Sequence, residues 1–111
     1  MLADSRAEMV RVAEVVARTH HEHWDGSGYP AGLAGEKIPI EGRICSICDV
    51  FDALLSSRPY KDGWTLDQTL EAIRDGSGTH FDPKLVDRFM EIAPELAQRL
   101  HPDAVGVKAA K

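Results

Sequence analysis

The run His20-His21-Glu22-His23-Trp24-Asp25 places three imidazoles and two carboxylates in six residues, and Gly26-Ser27-Gly28-Tyr29-Pro30 follows at once. Imidazole with carboxylate suits Fe, Mn, Zn or Ni better than Mg or Ca. Consecutive residues on a helix point about 100° apart. His20 and His21 would therefore ligate two adjacent metals, or one would ligate while the other met substrate. The plainer alternative is one core histidine and one surface histidine, with His23 facing solvent. Glu22 and Asp25 are candidates to orient imidazoles, since a metal-bound histidine usually donates its second N–H to such a group. Asp25 can equally fasten the glycine turn through its own backbone. Tyr29 offers a ring and a hydroxyl to a ligand, or a plug for the core.

These groups need elements to hold them. Met9, Val12 and Val16 recur at helical spacing and continue to His20, while Val10, Ala13 and Ala17 widen the stripe, so a helix is predicted from Ala7 to about Thr19. Gly26, Gly28 and Pro30 stop it. Residues 26–39 then read as an ordered glycine-rich loop, with Leu33 and Ile38 as anchors. From Ile40 to Ser57 the pattern is helical and apolar almost all round, as befits a central helix. One stripe on it differs: Cys45, Asp49, Asp52 and Ser56 lie at i, i+4, i+7 and i+11. Buried and unpaired, the two carboxylates would cost several kcal/mol, so they call for a metal, a cation or several hydrogen bonds. Thr65 to Gln68 has the form of a capping box and opens a helix to about Asp75. Asp82-Pro83 opens the next. Pro94 marks a break before a short final helix, and a flexible tail is expected over 101–111. The expected fold is all-α, with four to five helices and a long ordered loop after the first.

A chain of 111 residues is one domain's worth, and a net charge of -5 argues against nucleic acid polymers and anionic membranes as partners. No apolar stretch approaches the ~18 residues of a membrane span, and the start does not read as a signal peptide. Cys45 and Cys48 form a C-x-x-C with no second pair to complete a zinc site, inside an apolar run that favours small buried hydrophobes over redox thiols. Two free thiols suit a reducing cytoplasm. Arg58 and Lys61, beyond Asp49 along the chain, would suit phosphate near a metal; solvated surface charge is the alternative.

Over about residues 8–92 the sequence resembles the HD-GYP domains, a bacterial branch of the HD metal-dependent phosphohydrolases. The matching motifs are H-H-E-x-x-D-G-x-G-Y-P (His20 to Pro30), the loop Gly32 to Pro39, D-V-F-D-A-L (Asp49 to Leu54), R-P-Y-K (Arg58 to Lys61) and F-D-P (Phe81 to Pro83). The resemblance implies a helical cyclic di-GMP phosphodiesterase with a two- or three-metal centre of Fe or Mn, yielding the linear dinucleotide or GMP. It implies His20, His21 and Asp49 as metal ligands and Arg58 and Lys61 as holders of the substrate phosphates. Gly28, Tyr29 and Pro30 would form the loop beside the ligand, with Glu22, Asp25 and Asp52 in support. The family's upstream His-Asp doublet has no counterpart here, as no histidine precedes His20. Residues 1–100 are therefore expected to be the C-terminal part of such a domain. That part would have little turnover alone, would leave apolar surface open to self-association, and could dock a partner protein through the signature loop. A non-catalytic interaction module is the alternative function.

Overall fold

The computed structural model describes residues 2–56 and 64–102, with side chains from residue 5 onward. Within them lie four α-helices and no strand: α1 (Leu2–Thr19), α2 (Ile40–Ser56), α3 (Leu66–Asp75) and α4 (Pro83–Leu100). A 3-10 turn at Gly35–Lys37 closes the loop before α2, and an isolated bridge joins Ser77 to Phe81. The all-α expectation holds. α1 extends further towards the N-terminus than its apolar spacing predicts.

Local chemistry sets the helix starts. The Thr65 hydroxyl accepts from the Gln68 amide while the Gln68 side chain accepts from the Thr65 amide, a complete capping box. Asp82 caps α4 by accepting from the Lys84 amide at 2.9 Å, with Pro83 in the first turn. The core is built by α2, α3 and α4: Ile47, Phe51 and Leu55 meet Ile73, Phe81, Val86, Phe89, Ala93 and Ala97. Phe51 and Phe89 meet edge to face, centroids 5.0 Å apart. No described side chain of α1 enters that cluster. Instead α1 crosses α2 closely at Gly42, where a Cβ would collide with the Thr19 side chain.

Two expectations are corrected. Pro94 does not end a helix: α4 runs through it to Leu100. A proline inside a helix costs about 3 kcal/mol, but Pro94 is exposed while Ala93 and Ala97 beside it are fully buried. Continuity of that apolar stripe outweighs the lost N–H. Secondly, α2 is not buried all round. It turns Ile47, Phe51 and Leu55 inward and leaves Ile44 47% exposed, with Asp49 and Asp52 on the open side. Neither aspartate bears the burial penalty that the sequence pattern suggests. His101, where the expected tail begins, is engaged by its neighbours. Its ring contacts the Asp52 carboxylate at 2.7 Å and its amide donates to Ala97, while residues 103–111 lie outside the described part.

The buried junction between α2 and α4 is an ion pair. Arg43 reaches Asp82 at 2.8 Å, with Asp82 only 4% exposed, and Arg43 Nε donates to the Ile38 carbonyl at 2.8 Å. Replacing Asp82 with Ala removes the α4 cap and strands the guanidinium. We expect Asp82→Ala to destabilise the fold by about 3–5 kcal/mol, read as a lower urea midpoint.

Candidate active-site wall

α1 ends at Thr19 because the chain begins to bond to itself in tighter turns. The Thr19 hydroxyl donates to the Val15 carbonyl, the Glu22 amide to the Thr19 carbonyl at 3.0 Å, and the Gly26 amide to the His23 carbonyl at 2.8 Å. Gly26 takes φ +86°, which side-chain-bearing residues rarely adopt. His20 and His21 therefore stand in a turn, not on a helix. Their rings lie together, centroids 3.9 Å apart, contrary to the divergence that helical geometry predicts.

The His20 ring is oriented by the helix it follows. Its Nδ1 lies 2.8 Å from the Val16 carbonyl, which can only accept, so Nδ1 carries the proton and Nε2 keeps a lone pair. A neutral imidazole in that tautomer can ligate a metal or accept a proton through Nε2. His21 is exposed on one side and covered on the other by Tyr29, whose ring stacks on it at 5.0 Å and 19°. The Tyr29 amide donates to the His21 carbonyl at 3.2 Å. Gly28 lies so close to the turn that a Cβ would meet the His21 carbonyl and the His23 amide, both backbone atoms. Tyr29 and Pro30 remain exposed at the rim.

The carboxylates behave differently from one another. Glu22 is 2% exposed, and its two oxygens accept from the Ala31 and Leu33 amides, each at 2.8 Å. Those bonds go to the loop and not to an imidazole. Charge-assisted bonds of this kind contribute roughly 1.5–3 kcal/mol each, which offsets the cost of burying the charge. Asp25 accepts from the Ser27 amide at 2.9 Å, the turn-fastening role. Bonds from Ser27, hydroxyl and then backbone, hold its carboxyl below the usual range. Asp52 engages His101 instead of an imidazole of the double histidine. Arg58 and Lys61 lie outside the described residues.

His23, expected to face solvent, is partly buried and pairs with His80. Their rings sit 4.0 Å apart, and His80 also stacks on Phe81 at 4.1 Å. The Trp24 amide donates to His80 and the Asp25 amide to Thr79, tying the signature turn to the α3–α4 connection. Cys45 and Cys48 are half-buried free thiols, and burial, then the Asp49 charge in the case of Cys45, pushes each above its ordinary pKa. Reactive thiols show the opposite shift.

The two imidazoles suit a transition metal, yet a metal centre takes three or four protein ligands. Among the described residues no group of three or more His, Cys, Asp or Glu side chains is arranged to hold one. Asp49 stands on the open face of α2 and does not complete such a set with His20 and His21. The described residues thus do not by themselves compose a metal centre.

Two outcomes test this geometry. Gly28→Ala cannot be absorbed by a flexible side chain, so it should lift the loop and abolish ring contacts between Tyr29 and His21 in NMR spectra, with helix content retained. Burial first, and then the neighbouring His23, lowers the His80 pKa, with Asp25 opposing. Below the ordinary imidazole value of about 6.5, the unfolded chain then binds the proton more readily than the folded one. The His80 contribution is complete above that pH and declines as pH falls towards the folded-state pKa. An NMR titration of His80 at or above the ordinary value would overturn this.

Comparison with known proteins agrees with the motifs. The profile of the HD domain family matches residues 1–85. A cyclic di-GMP phosphodiesterase response regulator of Xanthomonas campestris is 47% identical over 98 residues, 88% of this chain and 26% of that protein. A 3′3′-cGAMP-specific phosphodiesterase of Vibrio cholerae is 52% identical over 91 residues, 82% of this chain and 17% of that one. The crystal structure of a cyclic GMP-AMP-specific phosphodiesterase from V. cholerae is similar with a TM-score of 0.56 at 30% identity, over 86% of this chain and 22% of the other. The chain therefore spans about a quarter or less of the length of these relatives. With its family profile matched over most of its length and the signature complete from His20 to Pro30, the chain belongs to the HD domain family, in its HD-GYP branch.

Proposed function

We propose that this chain supplies one wall of a metal-dependent phosphodiesterase site for cyclic dinucleotides in bacterial signalling. The observation that carries the reading is the paired His20 and His21 rings. One is held in the tautomer that presents Nε2, and the other is covered by Tyr29 of the signature loop. His20, His21 and Asp49 are the proposed metal ligands, Fe or Mn being the proposed metals. Arg58 and Lys61 are the proposed phosphate holders, and the exposed Tyr29 ring offers its free face to the ligand. Because the described residues gather too few ligands, the wall needs further ligands for full occupancy, and we expect little turnover from the chain alone. A cytoplasmic setting suits both the substrate class and the free thiols. No described helix is long and apolar enough to cross a membrane.

Cyclic di-GMP is the first substrate to test. The relative 52% identical to the chain is specific for 3′3′-cGAMP, which favours that nucleotide as the second reading.

The decisive experiment transplants the chain. In the Xanthomonas relative, the matched segment is exchanged for this chain and hydrolysis of both nucleotides is followed with Mn. We expect the chimera to hydrolyse at least one of them, and His21→Ala in it to reduce turnover to background. A folded chimera inactive on both nucleotides would refute the phosphodiesterase reading.

A further inference from the structure

Glu22 is nearly inaccessible and lies next to His21 in sequence, yet its carboxylate bonds to the loop and to neither imidazole. Its two oxygens reach 9 and 11 residues along the chain, to the amides of Ala31 and Leu33. Between Glu22 and those amides runs the segment Gly28-Tyr29-Pro30. Gly28 is pressed on the backbone of residues 21–23, with a built Cβ only 2.7 Å from Glu22 Cα. The Tyr29 amide is fixed to the His21 carbonyl. The loop is thus held from below at residues 28 and 29, and from beyond at residues 31 and 33, with the Tyr29 ring in the middle. Two N–H donors converge on one side chain, so both of its terminal atoms must accept. An ionised carboxylate meets that demand, whereas an amide side chain would set an NH2 against one of the donors.

We infer that Glu22 is a positioning residue: its buried carboxylate clamps the loop at Ala31 and Leu33 and so holds the Tyr29 ring over His21. Its importance for a nucleotide site rests on the reading proposed above, but the clamp itself does not. Among the described residues the His21 ring is held only by its contacts with the His20 and Tyr29 rings, so the Tyr29 ring helps to set its tilt. Glu22 acts on the double histidine through the loop, without touching either imidazole.

The test uses the 111-residue chain itself. In the wild type, the Ala31 and Leu33 amides should exchange with solvent more slowly than that of Gly32 between them. In Glu22→Gln, at least one of the two should lose protection, and the NMR contacts between the Tyr29 and His21 rings should disappear. The helical circular dichroism should stay unchanged. Equal exchange at all three wild-type amides would overturn the inference, with no variant needed. So would ring contacts that persist in Glu22→Gln, or a helical signal lost together with them, which would make Glu22 a residue of the general fold. None of these readouts needs metal, nucleotide or turnover. A failed clamp and a failed phosphodiesterase reading are therefore separable.

Discussion

One guanidinium fixes the frame in which everything else sits. Arg43 binds the Ile38 carbonyl with Nε and Asp82 with a terminal nitrogen, both at 2.8 Å. Its planar fork allows little freedom once both acceptors are engaged. Ile38 is the last buried residue of the long loop, and Asp82 caps α4. Two residues before Asp82, the His80 carbonyl holds the Trp24 amide at the start of that loop. Both ends of the loop thus refer to the same buried charge pair. The span between them closes on itself through Glu22.

The parts of this arrangement that depend on near neighbours were legible in the sequence. The capping box at Thr65 and the Asp82-Pro83 start both appear as read, because three or four adjacent residues decide them. The Asx turn at Asp25 was one of two local options, and the Ser27 amide selects it. Pro94 misled for the opposite reason. Its local preference is strong, but Ala93 and Ala97 pack into a core assembled from residues far away in sequence.

The carboxylates illustrate the same limit. Surrounded by apolar residues, Asp49 reads as buried, yet it is exposed. Glu22 reads as a group that orients an imidazole, yet it is buried and its bonds go to the loop. Burial of Glu22 is made tolerable by two amides that a helical or strand periodicity does not reveal. Exposure of Asp49 follows from which side of α2 the other helices cover. His80 stayed silent because its partner, His23, is brought to it only by the α3–α4 connection. The chemistry-bearing residues of the chain are therefore readable from residue types and spacing. Their arrangement in space lies in long-range backbone bonds.

The absence of α1 from the core cluster bears on the double histidine in a way that concerns entropy. Thr19 is the one buried side chain of α1 among the described residues, and Met9 and Val10 are 71% and 61% exposed. The tautomer of His20 is nevertheless selected by a carbonyl in the last turn of that helix. Every fraying of this turn frees the ring to rotate and to exchange its proton between nitrogens. Ligand binding must then bear the cost of restoring the order. The packing of α1 thereby enters the affinity of the imidazole pair as preorganisation. Whatever tightens that helix sharpens the site without touching it.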